Sequence, residues 1–242
     1  MGPGLTVAID PEALLAHDFG ETRQHYTVRD AILYALGVGL GRDPVDPTDL
    51  ALPPEGEIVG TARVASLADR RPDRGAELVV ERHIGEASTG RLLCSLRQTL
   101  LLRGDGGFGG APPVRSPTTA PDRGADLATQ VKLSPRAALI YRLSGDWNPL
   151  HLDPQAAEAA GFERPIMHGL GVYRTVAAAL CRTLGRSALA MRRLACRFSG
   201  IVMPSAVLDL RIWDLGSGYL CDATVAGRRV LDHGLLELCK DS

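Results

Sequence analysis

The apolar positions of this chain follow two rhythms, and both occur twice. From Val28 to Leu40 (V-R-D-A-I-L-Y-A-L-G-V-G-L) they recur at helical spacing, with Asp30 near the start. From His168 to Leu184 the same rhythm runs longer, with Leu170, Tyr173, Val176, Ala177, Leu180 and Leu184 separated by threes and fours. Each stretch predicts an amphipathic helix, and each is followed by strand-like runs. In the first half a strand rises from a turn at Pro54 (P-E-G-E-I-V-G-T-A-R-V-A). Ala76–Ile84 and Arg91–Leu102 follow it, joined by G-E-A-S-T-G. In the second half a strand rises from Pro204 (P-S-A-V-L-D-L-R-I-W-D), then come Tyr219–Val225 and Arg229–Leu238, joined by Ala226 and Gly227. Apolar and β-branched residues bounded by glycine turns predict antiparallel strands.

The repeat predicts an α+β chain of two modules, each an antiparallel sheet wrapped around a helix. Residues 1–102 form the first module and 126–242 the second. Between them, residues 103–125 are dense in glycine and proline and read as an extended linker. The linker also holds Gly104, Gly106 and Gly109 in a G-x-G-x-x-G pattern, but A-P-P-V-R-S-P follows and cannot open the helix that a dinucleotide phosphate needs.

Composition narrows the partners. The chain has 242 residues, 45% hydrophobic and 23% charged, as expected of a soluble globular protein. A net charge of −1 offers nothing to nucleic acid or to an anionic membrane. The five scattered cysteines lack a C-x-x-C pair and fit a reducing compartment. The longest apolar run, Ala31 to Leu40, is about half of what a bilayer requires. No basic-then-apolar leader opens the sequence, so a cytoplasmic location is expected. His25, His83, His151, His168 and His233 show no ligand spacing along the chain, and no metal is expected.

Candidate chemistry concentrates between Tyr141 and His168. The segment S-G-D-W-N-P-L-H places a carboxylate (Asp146), an amide (Asn148) and an imidazole (His151) on one loop shaped by glycine and proline. Asp153-Pro154 then predicts a helix start and Gly161 its stop. A carboxylate and a histidine on a rigid loop can hold and activate a water. Gly169 opens the long helix, where unpaired N–H groups and the helix dipole favour a negatively polarised oxygen and no Cβ obstructs its approach. Blander readings exist for each: a turn cap and a surface histidine for the loop, and close helix packing for Gly169.

The extended pattern Y-R-L-S-G-D-x-N-P-L-H-x-D-P-x-x-A-x-x-A-G-F-x-x-P-I-x-H-G resembles the signature of the MaoC-like (R)-specific enoyl-CoA hydratases. The first half resembles that family through D-A-I-L-Y-A-L-G-V-G (Asp30–Gly39), D-R-G (Asp73–Gly75) and R-G-D-G-G-F-G-G (Arg103–Gly110). The resemblance implies a double hotdog whose second half is catalytic and whose first half binds substrate. It implies syn hydration of a trans-2-enoyl-CoA to an (R)-3-hydroxyacyl-CoA. Asp146 and His151 would work on the water, Asn148 would orient them or the substrate, and the Gly169 N–H would hold the thioester oxygen. Substrate contacts would come from Arg74, Trp147, Pro149, Leu150 and Phe198. Arg74 stands where the family commonly has lysine facing CoA, although a solvated loop charge fits it equally, as core packing fits Phe198. No cofactor is implied beyond the acyl-CoA thioester substrate, and a homodimer is expected.

The chain departs from the family in its first half. Members carry an apolar P-T-F-like segment and an H-G-E-Q-type turn where Pro47-Thr48-Asp49-Leu50 here runs almost directly into Pro53-Pro54-Glu55-Gly56. That makes the first hotdog a shortened one, and an acyl site open to bulky or branched chains is expected. Two rivals share the thioester pocket: a hotdog thioesterase, which does not usually carry the S-G-D-x-N-P-x-H loop, and a degenerate hydratase that only binds.

Overall fold

In the computed structural model, which describes residues 9–38, 40, 55–114 and 119–239, the strand-like runs become neighbouring antiparallel strands. The first sheet contains β1 (Glu21–Tyr26), β2 (Gly56–Asp69), β3 (Ala76–Glu86) and β4 (Leu92–Leu102), in the order β1-β2-β3-β4. The second contains β5 (Leu127–Lys132), β6 (Met191–Phe198), β7 (Val207–Asp214), β8 (Tyr219–Val225) and β9 (Arg228–Leu238), in the order β5-β7-β8-β9-β6. Three strands had no pattern to announce them. β1 is almost wholly polar (E-T-R-Q-H-Y), β5 is short, and β6 (M-R-R-L-A-C-R-F) interrupts its apolar residues with arginines.

The helices are α1 (Pro11–Leu15), α2 (Val28–Gly37), α3 (Ala137–Tyr141), α4 (Pro154–Ala159) and α5 (Gly169–Thr183). The chain divides into two compact units, one of Met1–Thr27 with Glu55–Ser116 and the other of Val28–Pro54 with Pro117–Ser242. This corrects one part of the expected picture. The helix from Val28, expected inside the first sheet and up to Leu40, ends at Gly37 and belongs to the second unit, where it packs on α3. Gly37 explains the approach, since a Cβ there would sit 3.4 Å from the Tyr141 Cα. Among the described residues the first sheet carries the short α1, against β2.

In the second unit α5 lies against the sheet. Val172, Val176, Ala179 and Leu180 face Leu208, Leu210, Ile212, Leu231 and Leu236 in one buried cluster. Alanines at 177–179 let the strands come near the helix axis, and Leu180 is 0% exposed. In the first unit the buried cluster is Val64, Leu78 and Val80, with Leu14, Leu67 and Leu102 partly covered beside it. Strand for strand, β1–β4 correspond to β5, β7, β8 and β9. Among the described residues the first unit has no counterpart of α5 or of β6. β4 shows the consequence: Leu92, Leu93, Leu96, Leu100 and Leu101 are all exposed. The short connection from Pro47 to Pro54, where the family departure falls, lies outside the described residues.

The segment expected as an extended linker begins as a folded loop. The Asp69 carboxylate accepts hydrogen bonds from the N–H groups of Gly107 (2.8 Å) and Gly109 (2.7 Å), as well as from Arg71 N (2.8 Å). These amides, that of Gly107 foremost, hold Asp69 below the ordinary carboxylate value. A Cβ on Gly106 would run into the carbonyl of Arg71, so the glycines serve close approach to the β2–β3 turn. No helix among the described residues is long and apolar enough to cross a membrane.

Candidate active site

The loop after α3 is a sequence of local caps. A single 3-10 turn (Arg142–Ser144) ends at Gly145, whose φ of +109° only glycine adopts readily. Asp146 Oδ1 then accepts from Asn148 N (3.3 Å), and Asn148 Oδ1 accepts from Leu150 N (3.1 Å). The second bond caps a 3-10 turn, Pro149–His151, with proline at its first position. Asn148 therefore acts on His151 through the backbone of that turn. Asp153 caps α4 and Gly161 ends it at φ +84°, as expected from Asp153-Pro154 and Gly161.

His151 stands at the end of this construction, with Nδ1 2.9 Å from the Ile166 carbonyl oxygen. A carbonyl can only accept, so Nδ1 carries the proton and a neutral His151 keeps its lone pair on Nε2. His168 lies beneath it, with ring centroids 3.8 Å apart and planes tilted by 33°. His168 Nε2–H donates to the Asp146 carbonyl oxygen (3.3 Å). A column of rings continues behind: Tyr141 is 4.9 Å from His168, and Tyr34 of α2 is 6.0 Å from Tyr141. Burial pushes the Tyr141 hydroxyl up to about 12, and the Tyr34 hydroxyl also upward, so both stay protonated.

Asp146, His151 and His168 place their donor atoms within 4.8 Å of one another. Spacing along the chain shows no such grouping, and folding makes it by bringing His168 back to the loop. The cluster suits proton transfer better than chelation. Stacked rings direct their in-plane lone pairs side by side, whereas a bound ion needs them to converge.

His168 was the residue that sequence spacing missed as a partner of the loop, its one signal being the H-G step at the helix start. It occupies the N-cap position of α5 without making a side-chain cap. The first-turn N–H groups, beginning at Gly169, are thus left uncapped by it beside the loop. A Cβ at Gly169 would meet the Phe198 ring at 3.6 Å, which is ordinary contact. Tight packing therefore does not require this glycine, and Phe198, 49% exposed, flanks it rather than filling a core. Trp147 is exposed under the Arg142 guanidinium (4.6 Å), Pro149 is exposed, and Leu150 is half-buried. Arg74 belongs to the first unit, exposed on the β2–β3 turn.

The profile of the MaoC like domain matches residues 116–232. Enoyl-CoA hydratase ChsH3 of Mycobacterium tuberculosis is 31% identical, over 86% of this chain and 90% of its own length. The chain belongs to the MaoC-like dehydratase family. It is a hydro-lyase of the double-hotdog fold. The structure of a MaoC-like dehydratase from Phytophthora capsici superposes with a TM-score of 0.83 at 23% identity, over 96% of this chain and 99% of that one. Peroxisomal multifunctional enzyme type 2 of Drosophila melanogaster superposes with a TM-score of 0.78 at 27% identity, over 90% of this chain and 48% of that one. Several relatives are peroxisomal multifunctional enzymes, which overturns the expected cytoplasmic location.

Proposed function

We propose that the protein adds water reversibly across the double bond of a trans-2-enoyl-CoA, giving an (R)-3-hydroxyacyl-CoA. The observation that supports this reading is the cluster of Asp146, His151 and His168, whose side-chain polar atoms lie within 4.8 Å of one another at the residue before Gly169. Two relatives in Mycobacterium tuberculosis, an enoyl-CoA hydratase and a 3-hydroxyacyl-thioester dehydratase, support the substrate class.

In hydration, the water lies between Asp146 and His151. Its oxygen bonds to C3 as one of its O–H bonds breaks to the Asp146/His151 pair. The π electrons move through C2 towards the thioester oxygen, where the Gly169 N–H stabilises the developing charge. The pair then returns a proton to C2 on the face that received the hydroxyl, so all atoms of the water end on the product. Asn148 keeps the His151 turn in shape. Phe198, Trp147, Pro149 and Leu150 would form the apolar approach for the acyl chain.

The test is product analysis after incubation with crotonyl-CoA and longer trans-2-enoyl-CoA esters. The expected result is (R)-3-hydroxyacyl-CoA with no free thiol. An (S) product would overturn the stereochemical assignment, and release of CoA without hydration would mark a thioesterase.

A further inference from the structure

The hydration chemistry leaves one buried polar residue without a role. His168 is 1% exposed and its Nδ1 has no hydrogen-bond partner among the described residues. It holds the N-cap position of α5, where serine, threonine, aspartate or asparagine would close an open N–H, yet it closes none. A buried imidazole that neither caps its helix nor satisfies both ring nitrogens is poorly explained as a stability device.

Besides Tyr141 behind it, two of its contacts reach the Asp146–His151 loop. Nε2–H holds the main chain of Asp146, and the ring face supports the ring of His151. One rigid side chain thus touches both halves of the acid–base pair, at the residue immediately before Gly169. We propose that His168 is a positioning residue, a neutral ring that sets the spacing between the Asp146 carboxylate, His151 Nε2 and the Gly169 N–H. The proposal rests on the hydration reading above.

Neutrality belongs to the role. The groups facing the ring are His151 from the Pro149–His151 turn, Asp146 from the loop and Tyr141 from α3. Burial first, and His151 second, lower the His168 pKa, against a smaller opposing pull from Asp146. A second imidazolium would repel a protonated His151, whereas a neutral ring lets His151 accept the water's proton. The donor on Nε2 leaves the lone pair on Nδ1, away from Asp146, which accounts for the unpartnered nitrogen as the consequence of a required tautomer.

Two substitutions separate the donor from the ring. His168→Phe keeps a stacked ring and removes the N–H. His168→Gln removes the ring but carries an amide N–H that can reach the Asp146 carbonyl. For crotonyl-CoA hydration, His168→Phe is expected to lower kcat about 100-fold, the usual result of an ångström-scale misplacement, with KM within about twofold. His168→Gln is expected to recover about tenfold of that loss. Retention of kcat within about twofold by His168→Phe would overturn the proposal. So would a parallel fall of kcat, substrate affinity and unfolding temperature in both variants, which is the signature of a merely structural residue. His151→Ala in the same assay separates the two claims. If it is inactive while the His168 variants keep wild-type kcat, only the positioning role fails; if the wild type hydrates no enoyl-CoA, the hydration reading itself fails.

Discussion

The two sheets of this protein have the same strand plan and very different interiors. Around α5 the second sheet buries a continuous cluster from Val131 to Leu236, and the Asp146–His151 loop rests on His168 at the start of that helix. The first sheet, lacking counterparts of α5 and β6 among the described residues, gathers a small buried cluster of Val64, Leu78 and Val80 and leaves most leucines of β4 in the open. In the second unit it is the helix that supplies the apolar face against which the sheet packs. The first sheet compensates with polar work at its end, where Asp69 gathers the glycine loop against the β2–β3 turn.

Substitutions can sharpen this contrast, beginning with the largest effect. Leu180→Ala, at the centre of the helix-filled core, is expected to cost about 2–5 kcal/mol, read by urea unfolding. A cost below about 1 kcal/mol would mean that α5 is not the centre of the second unit. Arg197→Ala should cost about 1–3 kcal/mol, towards the lower figure because Arg197 itself is exposed. Its guanidinium makes two 2.7 Å bonds to the nearly buried Asp232 and holds that carboxyl below its ordinary value. The sign follows: this contribution is complete above about pH 4 and is lost as pH falls through the lowered value. An acid unfolding profile of Arg197→Ala should therefore lose that step, and an unchanged profile would remove the pair from the account. Asp69→Ala should free the 103–110 loop to faster hydrogen exchange while leaving α5 protected. Leu96→Ala, on the open β4, should change stability by less than about 0.5 kcal/mol. A core-sized cost there would show that β4 is covered in solution.

Much of this was readable from residues. The periodicity of α5 and of β3 and β7–β9 is readable because each buries apolar residues against its own sheet or helix, whereas β4 carries the same apolar pattern although its leucines are exposed. The S-G-D-W-N-P-L-H loop is readable because its caps are local, each bond spanning two residues. What escaped depends on tertiary partners. β1 and β6 carry polar and charged residues, so pairing rather than patterning makes them strands. α2 has the same rhythm whether it fills the first sheet or packs on α3, and Gly37 against Tyr141 decides between them. His168 meets Asp146 and His151 only after the chain returns from α4. Its burial, its stacked ring and its tautomer have no trace in the spacing. The glycine stretch from Gly104 to Gly110 looked like a linker because glycine content reports permitted conformations, and Asp69 selects one of them.

The central claim is that Asp146 and His151 together activate water on an enoyl thioester. Its most direct test is the initial rate of crotonyl-CoA hydration, followed by loss of enoyl absorbance, for the wild type, Asp146→Asn and His151→Ala at matched folded concentration. Each substitution is expected to lower kcat by about 10²–10⁴ with the fold intact. Wild-type rates in either variant, across enoyl chains of different length, would contradict the account.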